Sequence, residues 1–476
     1  MSDIGASNSN SPYAWRETGG RNPPKRPVSE RVADFLEIYG LFDEASARAQ
    51  AARCVQCPNP SCVTGCPSRN PIPQWMALTA EGRFLEAASV LGAATNMPEI
   101  CSRICPSDRL CEATCLLDSV STPVPIHALE QFLVEYAFSR SRPDTATAPP
   151  NGLKVAVAGS GPGCLACAEE LARRGYSVTI LDSAIVPGGL LVDGMPAFKL
   201  DQSLVQRRID LLRQRGVTFR LGVGLWDVVT LGDLQSEYDA VFLGFDARQA
   251  RQLHCTGEDL LGVVQAIPFL LHKTASLSPA MRNLDVAGKR VAVLGGGDTA
   301  LDCLRAAIRY GAREATGIYR RDPADMPCSR REYQNAVEEG ARFKFRTAPL
   351  VVLGNGSEVS GLRLIQTRLG AADATGRHAF ATVPDSEFEL PVDCVVLALG
   401  FDPVPCPRAA DFRSLTLNSW GGIVVDDSQM TSRPGVFAGG DIVRGPCLAV
   451  EAVRDGRKAA EQIHRFLFQK REAVAL

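Results

Sequence analysis

The spacing of apolar residues divides the chain into a helical beginning and a remainder in which strands and helices alternate. In the first part, apolar residues recur at steps of three and four, as they do along one face of a helix. This periodicity predicts helices over Arg31–Tyr39, Glu44–Arg53, Trp75–Leu91 and His127–Ser139. The polar residues before Arg31 predict an arm that becomes ordered only by docking. The segment Ser141–Gly152, rich in Pro, Thr and Ala, predicts a linker.

From Lys154 onward the pattern predicts two βαβ units. A short apolar strand, a glycine-rich turn, a helix and a second strand follow one another twice. The first copy has strands at Val155–Ala158 and Ser177–Leu181, and the second has strands at Arg290–Leu294 and Ala315–Tyr319. The chain is therefore predicted to be an α/β protein, in which an N-terminal α-helical domain precedes two Rossmann-like dinucleotide-binding domains.

Composition narrows the class of protein. With 476 residues, the chain is long enough for two to four domains. Its 51 Lys and Arg residues nearly balance its 53 Asp and Glu residues, which argues against a nucleic-acid or membrane-surface binder that works through bulk charge. No apolar run reaches the ~18 residues of a membrane span, and the polar start lacks the apolar core of a signal peptide. We therefore expect a soluble, cytoplasmic protein whose partners are small molecules or proteins.

Half of the 16 cysteines fall in two short motifs near the N-terminus. They are Cys54, Cys57, Cys62 and Cys66, spaced C-x2-C-x4-C-x3-C, and Cys101, Cys105, Cys111 and Cys115, spaced C-x3-C-x5-C-x3-C. Short spacers let thiolates wrap an inorganic core, and the prolines that follow three of these cysteines hold the chain in turns. Zinc sites and disulfides are the alternatives, but the second motif lacks a C-x2-C pair and no export signal precedes it. The pattern favours two 4Fe–4S clusters.

The first glycine-rich turn matches a dinucleotide fingerprint. Gly159 permits the tight turn, and Gly161 lets the backbone approach a pyrophosphate whose charge rests on the start of the following helix. Asp182 ends the second strand, where a carboxylate can accept hydrogen bonds from a ribose. The third glycine position holds Cys164, and Gly163 lies one place earlier. We expect the thiol to shift the helix slightly outward without abolishing the site.

The second glycine-rich turn predicts a site for NADPH. Its fingerprint residues are Gly295, Gly297, Asp298, Thr299 and Ala300, with alanine in the third glycine position. Arg320 and Arg321 follow the second strand, where NAD-specific sites carry an acidic residue. Guanidinium groups bind a 2′-phosphate through paired hydrogen bonds, so NADPH is favoured over NADH. The alternative is that both arginines are solvated surface charges.

A third glycine-rich segment lies near the C-terminus. Gly439, Gly440 and Asp441 follow a short apolar strand and precede a helical pattern. An aspartate on such a turn is typical of contacts to the ribityl and phosphate part of a flavin, although an ordinary strand–turn–helix is the alternative. The five histidines fall in no catalytic constellation.

Taken together, these motifs resemble one enzyme family. The segments that carry the resemblance are Arg53–Cys57, Gly65–Pro67, Asn70–Trp75, Gly159–Pro162, Pro187–Leu191, Phe198–Leu200, Gly296–Ala300 and Ala438–Ile442. From about Arg31 to Phe466, the chain is similar to the small (beta) subunit of NADPH-dependent glutamate synthase. The wider group includes the flavin and cluster module of dihydropyrimidine dehydrogenase and the large subunit of NADH-dependent ferredoxin:NADP oxidoreductase.

The resemblance implies a division into domains and a set of cofactor contacts. It implies a cluster-bearing domain at 1–150, an FAD domain formed by 151–275 and 402–476, and an NADPH domain at 276–401. It assigns FAD to Gly159, Gly161, Gly163, Asp182, Gly189, Leu190, Lys199, Gly440 and Asp441, and NADPH to the second fingerprint with its two arginines. One cluster would take Cys54, Cys57, Cys62 and Cys115, and the other Cys66, Cys105, Cys111 and either Glu130 or Cys101.

The resemblance also implies an activity. NADPH would give a hydride to FAD, and single electrons would leave through the clusters to a large subunit that makes glutamate from glutamine and 2-oxoglutarate. Two alternatives stay open. The same module could serve ferredoxin or another reductase, or the chain could be a non-catalytic, cluster-holding assembly subunit with a decayed flavin site. The second alternative is suggested by Cys164 and by Asp246, which stands where the family usually has glycine. Cys328 interrupts a further Met-Pro-Gly-Ser pattern.

Overall fold

The computed structural model describes residues 13–141, 145–224, 229–246, 249–271, 284–373, 378–402 and 414–475. Its N-terminal part consists of helices around a core that includes Trp75, Met76, Leu129 and Leu133. These helices are α1 (Ala14–Glu17), α2 (Val28–Arg31), α3 (Glu44–Ala51), α4 (Ser61–Gly65), α5 (Ile72–Glu81), α6 (Phe84–Ala94), α7 (Pro98–Ile104) and α8 (Ile126–Arg140). The predicted helices at Glu44–Arg53 and His127–Ser139 are confirmed as α3 and α8.

Two helix predictions in this part are wrong. The helix predicted over Trp75–Leu91 is two helices, because Gly82 adopts a left-handed φ of +82° that ends α5. The helix predicted over Arg31–Tyr39 is absent, and only α2 forms, ending at Arg31. The apolar residues behind that prediction, including Phe35 and Ile38, pack instead against the core of the second dinucleotide-binding unit. The arm is anchored there as well, because Arg31 is buried and pairs with Glu338 at 2.6 Å.

The first dinucleotide-binding unit is a five-stranded parallel sheet. Its strands run in the order β15-β4-β1-β2-β3, so its last strand comes from near the C-terminus. The strands are β1 (Lys154–Ala158), β2 (Ser177–Leu181), β3 (Thr218–Arg220), β4 (Ala240–Leu243) and β15 (Val436–Ala438). The helices are α9 (Pro162–Arg173), α10 (Leu190–Asp193), α11 (Gln202–Gln214), α12 (Leu231–Glu237), α16 (Asp441–Arg444) and α17 (Ala449–Ala475). Helix α17 packs closely along α9, since a Cβ at Gly456 would lie 2.0 Å from the Gly163 carbonyl oxygen.

The second unit repeats this plan. Its parallel strands run in the order β6-β13-β7-β8-β9. They are β6 (Val263–Gln265), β7 (Arg290–Leu294), β8 (Glu314–Ile318), β9 (Arg342–Lys344) and β13 (Cys394–Leu397), with helices α13 (Ala266–Leu270), α14 (Asp298–Arg309) and α15 (Arg330–Glu338). A three-stranded antiparallel sheet stands between β9 and β13 and was not predicted. It comprises β10 (Thr347–Asn355), β11 (Glu358–Ala372) and β12 (His378–Pro391).

These sheets confirm the predicted α/β fold class. The strands β5 (Gln249–Ala250) and β14 (Phe401–Asp402) pair with each other where the chain passes between the two units. The predicted domain boundary at 275/276 lies outside the described residues, and the division into domains stays a prediction. Strand β6, which lies ahead of that boundary, pairs with β13 of the second sheet. Among the described helices, none has an apolar stretch long enough to cross a bilayer.

Candidate functional site

The first fingerprint borders a cavity at the carboxyl ends of β1, β4 and β15. Its lining includes Gly161, Gly163 and Leu190 on one side, and Gly440 and Asp441 on the other. Gly159, at φ +106°, makes the tight turn, because a Cβ there would lie 2.8 Å from the Gly244 carbonyl oxygen. The structure thus brings five of the nine residues predicted for FAD to the lining of one cavity.

Cys164 fills the third glycine position and packs against the chain that follows β4. The side chain is fully buried, and Sγ donates a hydrogen bond to the Gly244 carbonyl at 3.2 Å. Gly244 makes this possible, since a Cβ there would lie 2.4 Å from that sulfur. Burial raises the pKa of the Cys164 thiol, so it stays protonated and acts as a small packing group.

Asp182 lies immediately after β2 and is tied to two glycine turns. Its Oδ2 accepts a hydrogen bond of 2.5 Å from the Ser160 hydroxyl, and the same hydroxyl accepts one of 3.1 Å from the Gly188 backbone N–H. The next residue, Gly189, has a φ of +56°, and a Cβ there would lie 2.9 Å from the Gly161 Cα. The predicted residues Asp182 and Gly189 therefore flank the fingerprint loop.

Lys199 does not line the first cavity as the structure describes it. Its ammonium lies 3.2 Å from an Asp302 carboxylate oxygen, and both side chains are more than nine-tenths buried. Burial alone would lower the pKa of Lys199, but the carboxylates of Asp302 and Asp298 raise it above its ordinary value. Lys199 joins the first unit to α14 of the second, and its assignment to FAD stays a prediction.

The second fingerprint has the geometry of the first. Gly295, at φ +148°, lies against the Ala398 carbonyl, and Gly297 precedes α14. Ala300 is buried in the core of the second unit, whereas Thr299 is half-buried. Asp298, the first residue of α14, accepts a hydrogen bond of 3.0 Å from the Ser329 backbone N–H.

The two arginines after β8 lie in different surroundings. Arg320 is exposed, and its guanidinium lies 4.6 Å from the centre of the Phe380 ring on β12. Arg321 is buried and donates a hydrogen bond to the His378 carbonyl. Arg320 is therefore accessible for a 2′-phosphate, while Arg321 also supports the antiparallel sheet.

The four thiols predicted for the first cluster lie together near the surface. Cys54 and Cys57 precede α4, Cys62 lies within it, and Cys115 comes from the second motif. Burial, with neighbouring thiols, raises the pKa of Cys54 to about 11. The same causes raise the pKa of Cys62 to about 12. All four are half-buried. Thiolates at these positions would repel one another, and a cationic core that binds them offsets the repulsion.

The residues predicted for the second cluster lie around one cavity. Its lining includes Cys66, Cys101, Cys105, Cys111 and Glu130. Burial raises the pKa of Cys66 to about 11. Burial also raises the pKa of Cys111, with further contributions from Glu112 and Glu130. In the described part of the chain, no three His, Cys, Asp or Glu side chains are arranged to hold a single metal ion. A cubane binds each thiolate at a different corner, so a convergent but spread set fits a cluster.

Both candidates for the fourth ligand face this cavity. The Glu130 carboxylate accepts a hydrogen bond of 2.7 Å from Asn70 Nδ2, and Asn70 is oriented by Trp75 Nε1 at 3.0 Å. Burial raises the pKa of Glu130 to about 8. Cys101 is buried and hydrogen-bonded to Cys105. Hydrogen bonds such as those from Trp75 to Asn70 and from Asn70 to Glu130 hold a metal ligand in its orientation. The choice between Glu130 and Cys101 as the fourth ligand stays open.

Sequence reasoning missed a polar chain that crosses from this cavity to the second unit. Arg331, on α15, donates to the Ser107 hydroxyl at 3.3 Å, and Ser107 donates to Glu112 at 2.9 Å. Glu112 lies 2.7 Å from His127 Nδ1. Asp108 accepts a further hydrogen bond of 2.9 Å from Ser329. No local pattern could have indicated the contacts made by Arg331 and Ser329, because more than two hundred residues separate them from their partners.

The first cavity and the two cysteine sets are neighbours in the structure. Cys447, Ala449 and Ala452 line the first cavity, while Val450 lines the cavity of the second cysteine set. The start of α17 thus forms the wall between them. The two cysteine sets share α4, since Cys62 lies in that helix and Cys66 directly follows it.

Comparison with known proteins agrees with this arrangement. Residues 31–142 match the family described as dihydropyrimidine dehydrogenase domain II, 4Fe-4S cluster. Residues 153–456 match the pyridine nucleotide-disulphide oxidoreductase family. The glutamate synthase (NADPH) small chain of Escherichia coli is 43% identical over 457 residues, which cover 94% of this chain and 97% of that protein. The chain belongs to the glutamate synthase small-chain family.

Further relatives support the assignment. The glutamate synthase (NADPH) small chain of Azospirillum brasilense is 43% identical over 466 residues, or 96% of each chain. The structure of Mycobacterium tuberculosis FprA in complex with NADPH matches 69% of this chain and 86% of its own, with a TM-score of 0.59 and 21% identity, and shows the fold alone. This small-chain family member is an NADPH-dependent flavin and iron–sulfur oxidoreductase, and its cofactors are FAD, NADPH and 4Fe–4S clusters.

Proposed function

We propose that this chain is the electron-input subunit of a glutamate synthase. It oxidises NADPH and delivers electrons to a large subunit that forms glutamate from glutamine and 2-oxoglutarate. The cofactors supply the chemistry, because a flavin accepts a hydride and releases single electrons, which clusters carry one at a time. The protein binds and orders them, and no general base is required. The family membership supports this function, as does the presence of two dinucleotide units in one chain.

The observation that carries the proposal is the shared wall between the flavin and cluster cavities. Ala449 and Ala452 line the first cavity and Val450 lines the second, so the first turn of α17 contributes to both. This shared turn supports electron passage from the flavin to the set around Cys66. The set around Cys54 comes next, because its Cys62 lies in α4 and Cys66 directly follows that helix.

We propose that electrons leave at the set around Cys54, which comes after the set around Cys66 on this path. Its four cysteines are half-buried, as are Cys66, Cys105 and Cys111 of the other set, so its surroundings distinguish it. Beside Cys115, Leu116 and Val120 expose 61% and 65% of their surface. Apolar side chains next to a cluster suit contact with a protein acceptor, since a protein partner removes them from water. The large synthase subunit is the acceptor we propose, and we place the complex in the cytoplasm, where thiols stay reduced.

The test is anaerobic purification with the large subunit, followed by iron, sulfide and flavin analysis and an assay of NADPH-dependent glutamate formation. Cys115→Ser should lower the iron content and abolish glutamate formation, while NADPH still bleaches the flavin. Cys255→Ser, a matched change of a half-buried thiol outside both sets, should leave all readouts unchanged. Protein without sulfide or flavin would contradict the proposal. Reduction of ferredoxin, with no electron transfer to the large subunit, would favour a different acceptor.

A further inference from the structure

The cluster-bearing part supplies a carboxylate to the start of a helix in the second dinucleotide unit. Asp108 lies in the loop between Cys105 and Cys111. Its Oδ2 accepts a hydrogen bond of 3.1 Å from the hydroxyl of Ser329, which directly precedes α15, and one of 3.2 Å from the Arg331 backbone N–H. The first N–H groups of a helix have no partner within it, so a carboxylate at this place stabilises the helix start. The start of α15 is therefore completed by a residue more than two hundred positions earlier in the chain.

The loop is fixed to the segment around the start of α15 by two further side chains. Arg109 donates a hydrogen bond to the Pro327 carbonyl, and Arg331 donates one of 3.3 Å to the Ser107 hydroxyl. Ser329 is only 2% exposed, so water does not compete for its bond to the loop carboxylate. The loop that carries two predicted ligands of the second cluster is therefore joined firmly to the second unit.

Ser329 also reaches the start of α14. Its backbone N–H donates a hydrogen bond of 3.0 Å to Asp298 Oδ1. Asp298 is the first residue of α14, a helix of 12 residues that follows the second fingerprint. The free N–H groups at such a helix start attract a pyrophosphate, and a carboxylate in the first turn can bind them itself. The bond from Ser329 therefore engages this carboxylate with a donor outside α14.

We propose that Asp108 is a positioning residue for the NADPH site, although it belongs to a cluster loop. It holds Ser329 in place through the hydroxyl, and the backbone N–H of Ser329 keeps the Asp298 carboxylate off the start of α14. The N–H groups there remain free for the pyrophosphate. Because the same contacts hold the cluster loop, nucleotide binding and the second cluster are linked, and each affects the other. The inference rests on the proposed function, in which the second fingerprint binds NADPH.

The test measures the dissociation constant of NADP⁺ for the anaerobic holoenzyme, from the change in flavin absorbance during titration. Asp108→Ala removes both bonds at the start of α15 and should raise this constant about tenfold, as is usual for coupled sites. Asp108→Asn should stay close to the parent, because one amide oxygen can accept both bonds as Oδ2 does. Asp108→Ala should also alter the electron paramagnetic resonance spectrum of the reduced second cluster.

Asp43→Ala is the matched control. Asp43 is exposed, and its carboxylate caps α3 in the cluster-bearing part by accepting a bond of 2.6 Å from the Ser46 backbone N–H. Its removal should lower the melting temperature, as loss of a helix cap does, but should change neither NADP⁺ binding nor the spectrum. If Asp108→Ala contains less iron than the parent, Ser329→Ala takes its place with the same expected rise, since it removes the hydroxyl and leaves the cluster loop unaltered.

An unchanged dissociation constant in Asp108→Ala, or in Ser329→Ala where that variant replaces it, would overturn the inference. Equal weakening by Asp108→Asn and Asp108→Ala would overturn it as well, because the asparagine retains the contacts. If the parent contains flavin, iron and sulfide but its flavin responds to neither NADP⁺ nor NADPH, the assignment of the second fingerprint fails instead, and the two failures are distinguishable.

Discussion

The two dinucleotide-binding units share one scaffold down to individual hydrogen bonds. In both sheets the strand that carries the fingerprint lies in the middle. In the first unit, the backbone N–H of Lys154 donates to Asp239 at 2.8 Å. In the second, the backbone N–H of Arg290 donates to Asp393, also at 2.8 Å. Each aspartate immediately precedes the neighbouring parallel strand, so the same contact sets the register of the same two strands in both units.

The units differ in how they fill the space under the fingerprint. The first places Cys164 against Gly244, and the second places Ala300 in the matching position and Ala398 beneath its own loop. The larger side chain on the helix is therefore matched by the smaller residue after the strand. A fingerprint cannot be judged from its own residues alone, because the volume is shared with a strand far along the chain.

They also differ in their attachment to the N-terminal part. The first unit uses a buried ion pair, in which Arg208 on α11 binds Glu99 on α7 at 2.6 Å. In the second unit, the buried Glu339 carboxylate binds Arg31 of the N-terminal arm. The same carboxylate also binds Arg305 and Arg309. Loss of one cation should thus matter more in the first unit.

The largest effect is expected for Arg208→Met. This change leaves the fully buried Glu99 carboxylate without its cation and should lower stability by about 3–5 kcal/mol. Thermal unfolding of the anaerobic holoenzyme measures it. Arg213→Met, in the same helix, removes an exposed pair with Asp210 and should cost under about 1 kcal/mol. Similar melting of the two variants would show that the buried pair does not fasten the first unit.

A smaller effect should follow from exchanging the packing of the two loops. Gly244→Ala places a Cβ 2.4 Å from Cys164 Sγ and should cost about 2–3 kcal/mol. The double variant with Cys164→Ala reproduces the alanine found in the second loop and should recover the part of that loss that comes from the sulfur, while the contact of the new Cβ with the Phe242 ring at 2.9 Å remains. Melting of the two single variants and the double variant gives the coupling energy. Additive effects would contradict the shared-volume explanation.

The contact between Cys164 and Gly244 is one of the features that local sequence spacing could not predict. The βαβ units, α3, α8 and the clustering of thiols follow from local spacing, and the structure contains them. The segment Arg31–Tyr39 has helical periodicity, but Phe35 and Ile38 are apolar because they contact the second unit. The support of Glu130 by Asn70 and the position of Arg331 depend on tertiary contacts, which spacing does not encode.

The arginines after β8 are predicted to set the nucleotide preference of the second unit. Arg320→Ala should raise the KM for NADPH about tenfold, equivalent to about 1.4 kcal/mol, because a charge-assisted bond to the 2′-phosphate is lost. The KM for NADH, which lacks that phosphate, should change little. Arg342→Ala removes another exposed arginine, on β9, and serves as the control. Equal changes for both nucleotides would show that Arg320 does not contact the 2′-phosphate.

The smallest effect is expected at the aspartate that precedes the neighbouring parallel strand in each unit, Asp239 in the first and Asp393 in the second. In the second unit the Arg290 guanidinium also binds Asp393, at 2.6 Å, and this bond lowers the pKa of Asp393 from 3.8 to about 2. A carboxyl whose pKa is lowered on folding stabilises the protein above its unfolded pKa and loses that contribution as the pH falls through the folded value. Because both side chains are about one-third exposed, Arg290→Ala should cost under about 1 kcal/mol at pH 7.

The pH dependence tests the origin of this effect. The difference in melting temperature between Arg290→Ala and the parent should shrink as the pH falls from 3.8 toward 2. Lys154→Ala makes the matching change in the first unit, where the backbone N–H alone carries the described contact to Asp239 and is retained. Its effect should be smaller and independent of pH in this range. A difference for Arg290→Ala that persists unchanged at low pH would mean that the arginine stabilises the strand by packing, because protonation of Asp393 removes the ionic contribution.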